Sequence, residues 1–140
     1  MAASPAPSRT ILAVDDSEGH LKVLELALGA HRYQVETARD GHEALTLLQS
    51  LTPDLMIVDV EMPFMSGLEL AKRVRRLRRF ANMPILVMTS TERDDMEARV
   101  REAGADQVIY KPVQGKSLDR VVGGLLRRRH DPREDGAFGA

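Results

Sequence analysis

The chain has no cysteine among its 140 residues, so it offers no disulfide framework, no thiolate metal site and no cysteine nucleophile. That absence agrees with a reducing compartment, and a cytoplasmic location is the expectation. Long apolar runs are also missing. The stretches "ILAV", "LMIV" and "PILVM" fall far short of the roughly 18 residues needed to span a membrane. Charge of either sign is barely in excess, at a formal −1, so net charge is silent about nucleic acid. The opening "MAASPAPSRT" lacks the apolar centre of a secretory signal, and residues 1–8 are expected to be a disordered lead. What remains is a composition 43% hydrophobic and 29% charged, which fits one folded domain and not an unfolded polyelectrolyte.

Five segments read as strands: Thr10 to Val14, Tyr33 to Ala38, Leu55 to Asp59, Ile85 to Thr89 and Gln107 to Tyr110. Segments with helical spacing come after each one. The first starts near Ser17, which like Asp16 reads as an ordinary helix N-cap, carries Leu21, Leu24 and Leu28 on one face, and stops near Gly29. The second and third open with "DGHE" and "SGLE", in which Asp40 or Ser66 can cap the helix and Glu43 or Glu69 can reach back. A fourth is expected from about Thr91 to Gly104, and a fifth from about Lys116 to Arg129. Gly115, Gly123 and Gly124 mark the fifth as frayed or bent. Five-fold alternation of strand and helix specifies an α/β domain with a doubly wound parallel sheet and helices on both faces.

The first, third and fourth strands are continuous apolar runs, as in strands buried on both sides. "YQVETA" alternates and "QVIYKP" is mixed, so these two are edge candidates. The order 2-1-3-4-5 meets these requirements with right-handed crossovers. The domain is expected over 9–129, and residues 130–140, "HDPREDGAFGA", read as a disordered tail or the start of a linker.

In such a sheet ligands bind outside the carboxyl ends of the strands, where the order reverses. Asp15 and Asp16 follow the first strand, Asp59 ends the third, Thr89 ends the fourth, and Lys111 with Pro112 follows the fifth. Each has an ordinary reading as a cap, a turn residue or a solvated side chain. Together they do not, because three carboxylates on one rim repel and raise one another's pKa values unless a cation joins them. Oxygen-only ligands suit a hard divalent ion, Mg²⁺ first and Mn²⁺ second. A carboxylate, a divalent ion, an ammonium and a hydroxyl are also what is needed to hold a phosphoryl group in transit.

The stretches "VDD" (Val14 to Asp16), "DVEMPFMSGLEL" (Asp59 to Leu70), "MTS" (Met88 to Ser90) and "GADQVIYKP" (Gly104 to Pro112) resemble the receiver domain of two-component response regulators, of the chemotaxis-regulator type. The resemblance covers roughly residues 9–129 and implies a flavodoxin-like fold. It implies that Asp59 is the phosphoacceptor and that Asp16 and Asp59 hold Mg²⁺ directly. Asp15 would act through water, and the main-chain carbonyl of Glu61 would be a further ligand. Lys111 and Thr89 would contact the phosphoryl group, and the Lys111–Pro112 bond would be cis. The implied partners are a sensor histidine kinase or a histidine phosphotransfer protein, and a downstream protein target. The implied activity is that of a switch, not of an enzyme acting on other substrates.

Val108 stands where many receivers carry an aromatic three residues before the lysine, so their threonine–aromatic readout does not transfer. Tyr110 falls on the same strand face as Val108, one repeat on. Glu61 and Thr91, each two residues past a site residue, occupy places that in this family tune the lifetime of the acyl phosphate. "AKRVRRLRRF" packs six basic residues between Lys72 and Arg79, but Ala71, Val74 and Leu77 keep helical spacing within it. The arginines therefore read as a wet face suited to an acidic protein partner, which argues against direct nucleic-acid binding. His20, His31, His42 and His130 lack metal-ligand spacing and read as structural or surface residues. Two rival functions stand beside the switch: a receiver-like interaction module that is not phosphorylated, and a metal-dependent phosphatase with an aspartate nucleophile.

Overall fold

The computed structural model describes residues 9–129; the expected lead and tail lie outside the described residues. Strands β1 (Thr10–Val14), β2 (Gln34–Ala38), β3 (Leu55–Asp59), β4 (Ile85–Thr89) and β5 (Gln107–Tyr110) alternate with five α-helices. These are α1 (Glu18–Gly29), α2 (Gly41–Leu47), α3 (Gly67–Arg75), α4 (Met96–Glu102) and α5 (Gly115–Arg129), with a 3₁₀ turn at Arg78–Phe80 after α3. The strands form one sheet, ordered β2-β1-β3-β4-β5, and every pairing is parallel. This is the doubly wound order expected from the sequence, with β2 and β5 at the edges.

Strand alternation divides the core in two. Leu12, Val14, Met56, Val58, Ile85 and Val87 pack on one face with Ala44 of α2, Leu70 and Val74 of α3 and Val100 of α4. Ile11, Ala13, Leu55, Ile57, Leu86 and Met88 pack on the other with Leu21, Leu24 and Leu28 of α1 and Leu118, Val122 and Leu125 of α5. Because both faces of the three central strands are covered, their sequences show no polar alternation. Among the described residues no helix is long and apolar enough to cross a membrane.

Three caps act as the sequence predicts: the side chains of Ser17, Asp40 and Ser66 accept from the amides of His20, Glu43 and Glu69. Two helices differ from expectation. α4 begins at Met96 rather than near Thr91, and its first residue follows Asp95 without a side-chain cap bond. Thr91 is instead drawn back to β4, its amide donating to Thr89 Oγ1 at 3.1 Å. α5 runs unbroken for 15 residues despite its glycines, because Leu118, Val122, Leu125 and Leu126 bury a continuous stripe that outweighs their propensity cost.

Arg75 also departs from the wet-face reading. Its guanidinium is held by main-chain carbonyls: Nε donates to Gly104 at 2.8 Å, and Nη1 to Phe80 and Met83, each at 2.7 Å. Nη2 pairs with Asp106 Oδ2 at 3.2 Å, and that same carboxylate oxygen accepts from the Ile85 amide. One arginine thus ties the 3₁₀ turn to the start of β4 and to the α4–β5 corner. Burial holds its pKa below the usual value, against the opposing effect of Asp106. The corner itself is closed by Gly104 at φ 85°, with Gly104 N–H bonded to Arg101 O and Ala105 N–H to Val100 O.

Gly67 links fold to site. A Cβ there would lie 2.1 Å from the main-chain oxygen of Asp59, so only glycine lets α3 start against the end of β3. Gly67→Ala should therefore destabilise the domain by about 3 kcal/mol in urea unfolding. Gly29→Ala, with nothing within 4 Å of the added carbon, should move the midpoint far less.

Candidate functional site

Register brings the site together. Val14 pairs with Val58, so Asp15 and Asp59 leave adjacent strands side by side. Asp59 pairs with Met88, and Thr89 with Tyr110, which sets Thr89 and Lys111 on the far side of Asp59. Asp15, Asp59 and Thr89 are the buried polar side chains of the described residues, at 0%, 3% and 0% exposure. Asp16 is exposed at the rim, and one oxygen from each of Asp15, Asp16 and Asp59 lies within 4.8 Å of the others. That donor set, hard anionic oxygens with open space on one side, fits a divalent cation that keeps some of its water.

Lys111 is the cation that the structure supplies. Its Nζ lies 3.1 Å from Asp59 Oδ2 and 3.4 Å from Asp15 Oδ2, bridging the two buried carboxylates. Burial lowers its pKa, but the bond to Asp59 and the two negative charges more than offset this, and the net shift is upward. The Lys111–Pro112 peptide bond is cis. The Lys111 amide donates to Thr89 O at 2.9 Å, fixing the lysine to the end of β4.

The two buried aspartates are not equivalent. Burial pushes the Asp59 carboxyl up, and the Asp15 charge pushes it further; Lys111 and the Glu61 amide pull it back, leaving it at about 6. Burial also pushes Asp15 up, but its Oδ1 accepts from the Ser17 amide at 3.0 Å, and His20 and Lys111 act on it as well. The net shift of Asp15 is downward. Asp15 thus stays charged while Asp59 carries the strain of the pair.

Two contacts lie beyond what the sequence predicts. His20, the third residue of α1, sets its Nδ1 against Asp15 Oδ2 at the edge of the acidic cluster. Its helix is capped by Ser17, which turns this position toward the rim; the interval of five residues from Asp15 is the only signal in the chain. Glu61 reaches across to β4, where Thr89 Oγ1 donates to its Oε2 at 2.7 Å and the Ser90 amide donates to Oε1 at 3.2 Å. The Thr89 hydroxyl is therefore engaged by a carboxylate other than Asp59. Val108 packs partly buried against the core on the α2–α3–α4 side, so no ring stands there to answer a movement of Thr89.

Fold and rim together define a doubly wound α/β domain with an acidic, lysine-bridged pocket at its topological switch point. The family model described as "Response regulator receiver domain" matches residues 11–122, and the chain belongs to that family. Transcriptional regulatory protein AfsQ1 of Streptomyces coelicolor is 36% identical over 133 residues, covering 94% of this chain and 57% of the relative. Response regulator MprA of Mycolicibacterium vanbaalenii is 40% identical over 120 residues, covering 84% of this chain and 50% of the relative. The chain thus spans about half the length of these curated relatives. Among solved structures, chemotaxis protein CheY4 of Vibrio cholerae is 33% identical with a TM-score of 0.82, covering 85% of this chain and 99% of that one. A response regulator from Chloroflexus aurantiacus gives 34% and 0.83, covering 86% and 99%.

The raised Asp59 pKa fixes a pH dependence. Its folded value of about 6 exceeds the ordinary 3.8, so between these values the folded chain keeps a proton that the unfolded chain has released. The associated stability is complete below the lower value and is lost as pH rises through the upper one. In metal-free buffer Asp59→Asn should be more stable than wild type at about pH 8, with the difference closing as pH falls below about 4. Chemical unfolding across pH in the presence of a chelator measures this.

Proposed function

We propose that the chain is the phosphoacceptor switch of a two-component phosphorelay. It takes a phosphoryl group onto Asp59 from a histidine kinase or a histidine phosphotransfer protein, and then acts by contacting a downstream protein. The observation that carries this reading is the Asp59 carboxylate itself: 3% exposed, 3.1 Å from an ammonium, and grouped with two further carboxylates at a switch point.

In the proposed step an Asp59 oxygen attacks the phosphorus of a phosphohistidine. The new P–O bond forms as the P–N bond breaks, and the imidazole leaves and takes up a proton. Lys111 stays beside the reacting oxygen and offsets charge on the phosphoryl group. A divalent cation held by Asp15, Asp16, Asp59 and the Glu61 carbonyl would neutralise further charge there. Phe64, 92% exposed in the loop after β3 and held at φ 70°, offers a donor protein an apolar contact beside the pocket.

Glu61 gives the switch a readout that does not need an aromatic at Val108. An attached phosphoryl group brings nearly two negative charges to Asp59. It both attracts the Thr89 hydroxyl and repels the Glu61 carboxylate that holds it. Transfer of that one proton donor breaks the Thr89–Glu61 bond, and repulsion of the carboxylate loosens its bonds from the Ser90 amide and hydroxyl, which frees the segment leading to α4. The rival interaction module rests mainly on Val108 and leaves the buried, lysine-bridged Asp59 without a purpose.

Incubation with a small-molecule phosphodonor and Mg²⁺ should add a single phosphoryl group by intact mass, and Asp59→Asn or a chelator should abolish it. An unmodified wild type would favour the interaction module, and continuous turnover of a phosphate ester would favour the phosphatase. Glu61→Gln keeps an acceptor for Thr89 but removes a charge facing the incoming anion. It should speed labelling by roughly fivefold, equivalent to about 1 kcal/mol, read from the time course of the mass shift.

A further inference from the structure

We infer that the cleft between the carboxyl ends of α2 and α3 docks an acidic, amphipathic segment of a partner protein. The cleft encloses about 480 Å³ and is lined by Leu45, Leu48, Gln49, Leu77, Arg78 and Arg79. Leu77 is 42% exposed, an apolar side chain left open on the rim of an apolar floor. Next to it is the strongest concentration of positive charge in the chain, six basic residues from Lys72 to Arg79.

Two of those six have internal partners. Arg73 pairs with Glu69 at 3.3 Å, and Arg75 is consumed by the corner that it clamps. Lys72, Arg76, Arg78 and Arg79 form no ion pair among the described residues, although the chain as a whole carries a formal −1. Basic residues in the last turn of α3 complement its dipole, which accounts for Lys72, Arg73 and Arg75. Arg78 and Arg79 lie past the helix, in the 3₁₀ turn, where that effect has faded. Arg79 is also laid over the Phe80 ring, 4.7 Å from its centroid, so part of its ordering cost is met before any partner arrives.

Leucine side chains with two arginines beside them match a helix that presents apolar anchors three and four residues apart with carboxylates next to them. A phosphate backbone would leave the leucine floor unused, and the cleft offers no ring on which a base could stack. The position matters as well. α2 and α3 run back against the strands they follow, so their carboxyl ends lie at the pole opposite Asp59. A partner held there stays attached whether or not the phosphoacceptor is modified, which makes the cleft a tether and not a readout.

The test is fluorescence anisotropy of the full chain with a labelled helical peptide bearing leucines at helical spacing flanked by glutamates. Saturable binding is expected, weakened about tenfold by Arg78→Glu with Arg79→Glu and by about 0.5 M salt. Leu77→Ser, which keeps the charges, should also weaken it, and a peptide with lysines in place of glutamates should not bind. All three side chains are exposed, so these variants should retain wild-type circular dichroism. Equal binding by wild type and the double variant would overturn the inference. So would tighter binding of duplex DNA or anionic vesicles than of the peptide, or self-association that the double variant abolishes. Phosphodonor labelling of Asp59 should be identical in all variants, so failure of the cleft and failure of the switch give separate signatures.

Discussion

Two carboxylates buried side by side with one lysine between them are the constraint to which the rest of this domain answers. Asp15 and Asp59 leave adjacent central strands at matched register, so the sheet cannot pair as it does without bringing their charges together. Charge on both is costly for side chains withdrawn this far from water, and one ammonium at 3.1 and 3.4 Å compensates only part of it. The imbalance falls on Asp59, whose raised pKa records it. A site that is over-supplied with negative charge in its resting form favours a cation, and on the proposed reading that cation lets it take a phosphoryl group. The chemistry is thus a consequence of strand register before it is a property of any one side chain.

That electrostatic cost has to be carried by a frame that does not yield, and the frame is visible around it. Glycine at position 67 lets α3 begin on the Asp59 carbonyl, and the Gly67 amide donates to Val60 O at 3.0 Å. The Lys111 main chain is tied to β4, so the ammonium cannot withdraw without pulling an edge strand. Away from the pocket, Arg75 locks the 3₁₀ turn, the start of β4 and the α4–β5 corner into one unit. The apolar core holds the strands, while a few polar ties hold the pocket at their ends.

The sheet and the pocket were legible because both are written in short-range patterns. Uninterrupted apolar runs mark strands buried on two faces, and the residues at the end of each run fall by geometry at one rim. Asp15, Asp16, Asp59, Thr89 and Lys111 could therefore be gathered from the chain alone. The caps at Ser17, Asp40 and Ser66 were legible for the same local reason. What escaped depends on long-range partners. Nothing near Arg75 in the chain announces carbonyls at positions 80, 83 and 104, so it looked like its solvated neighbours. His20 looked ordinary because its contact depends on how α1 leaves β1. The start of α4 was misplaced because Thr91, a reasonable helix opener, is claimed by Thr89 through a bond that propensity does not see.

The unequal firmness of the two sides of the pocket bears on how a switch could work here. Lys111 sits on a braced strand end, whereas Thr89 leads into exposed residues 90–95 and then a seven-residue helix with no side-chain cap. Helices that short derive little stability of their own and depend on packing, here chiefly Met96 and Val100. Glu61 is the tie that holds this weaker side to β3, through two hydroxyls and one amide. On the proposed reading, a new dianion at Asp59 acts on that tie directly, repelling the carboxylate and competing for the hydroxyl. The element released is a seven-residue helix with no side-chain cap and two buried residues. An aromatic side chain swinging into a vacated space is one way to report such a release; loss of the Glu61 bridge, with α4 free to shift over Val108, is another that this sequence is equipped to use.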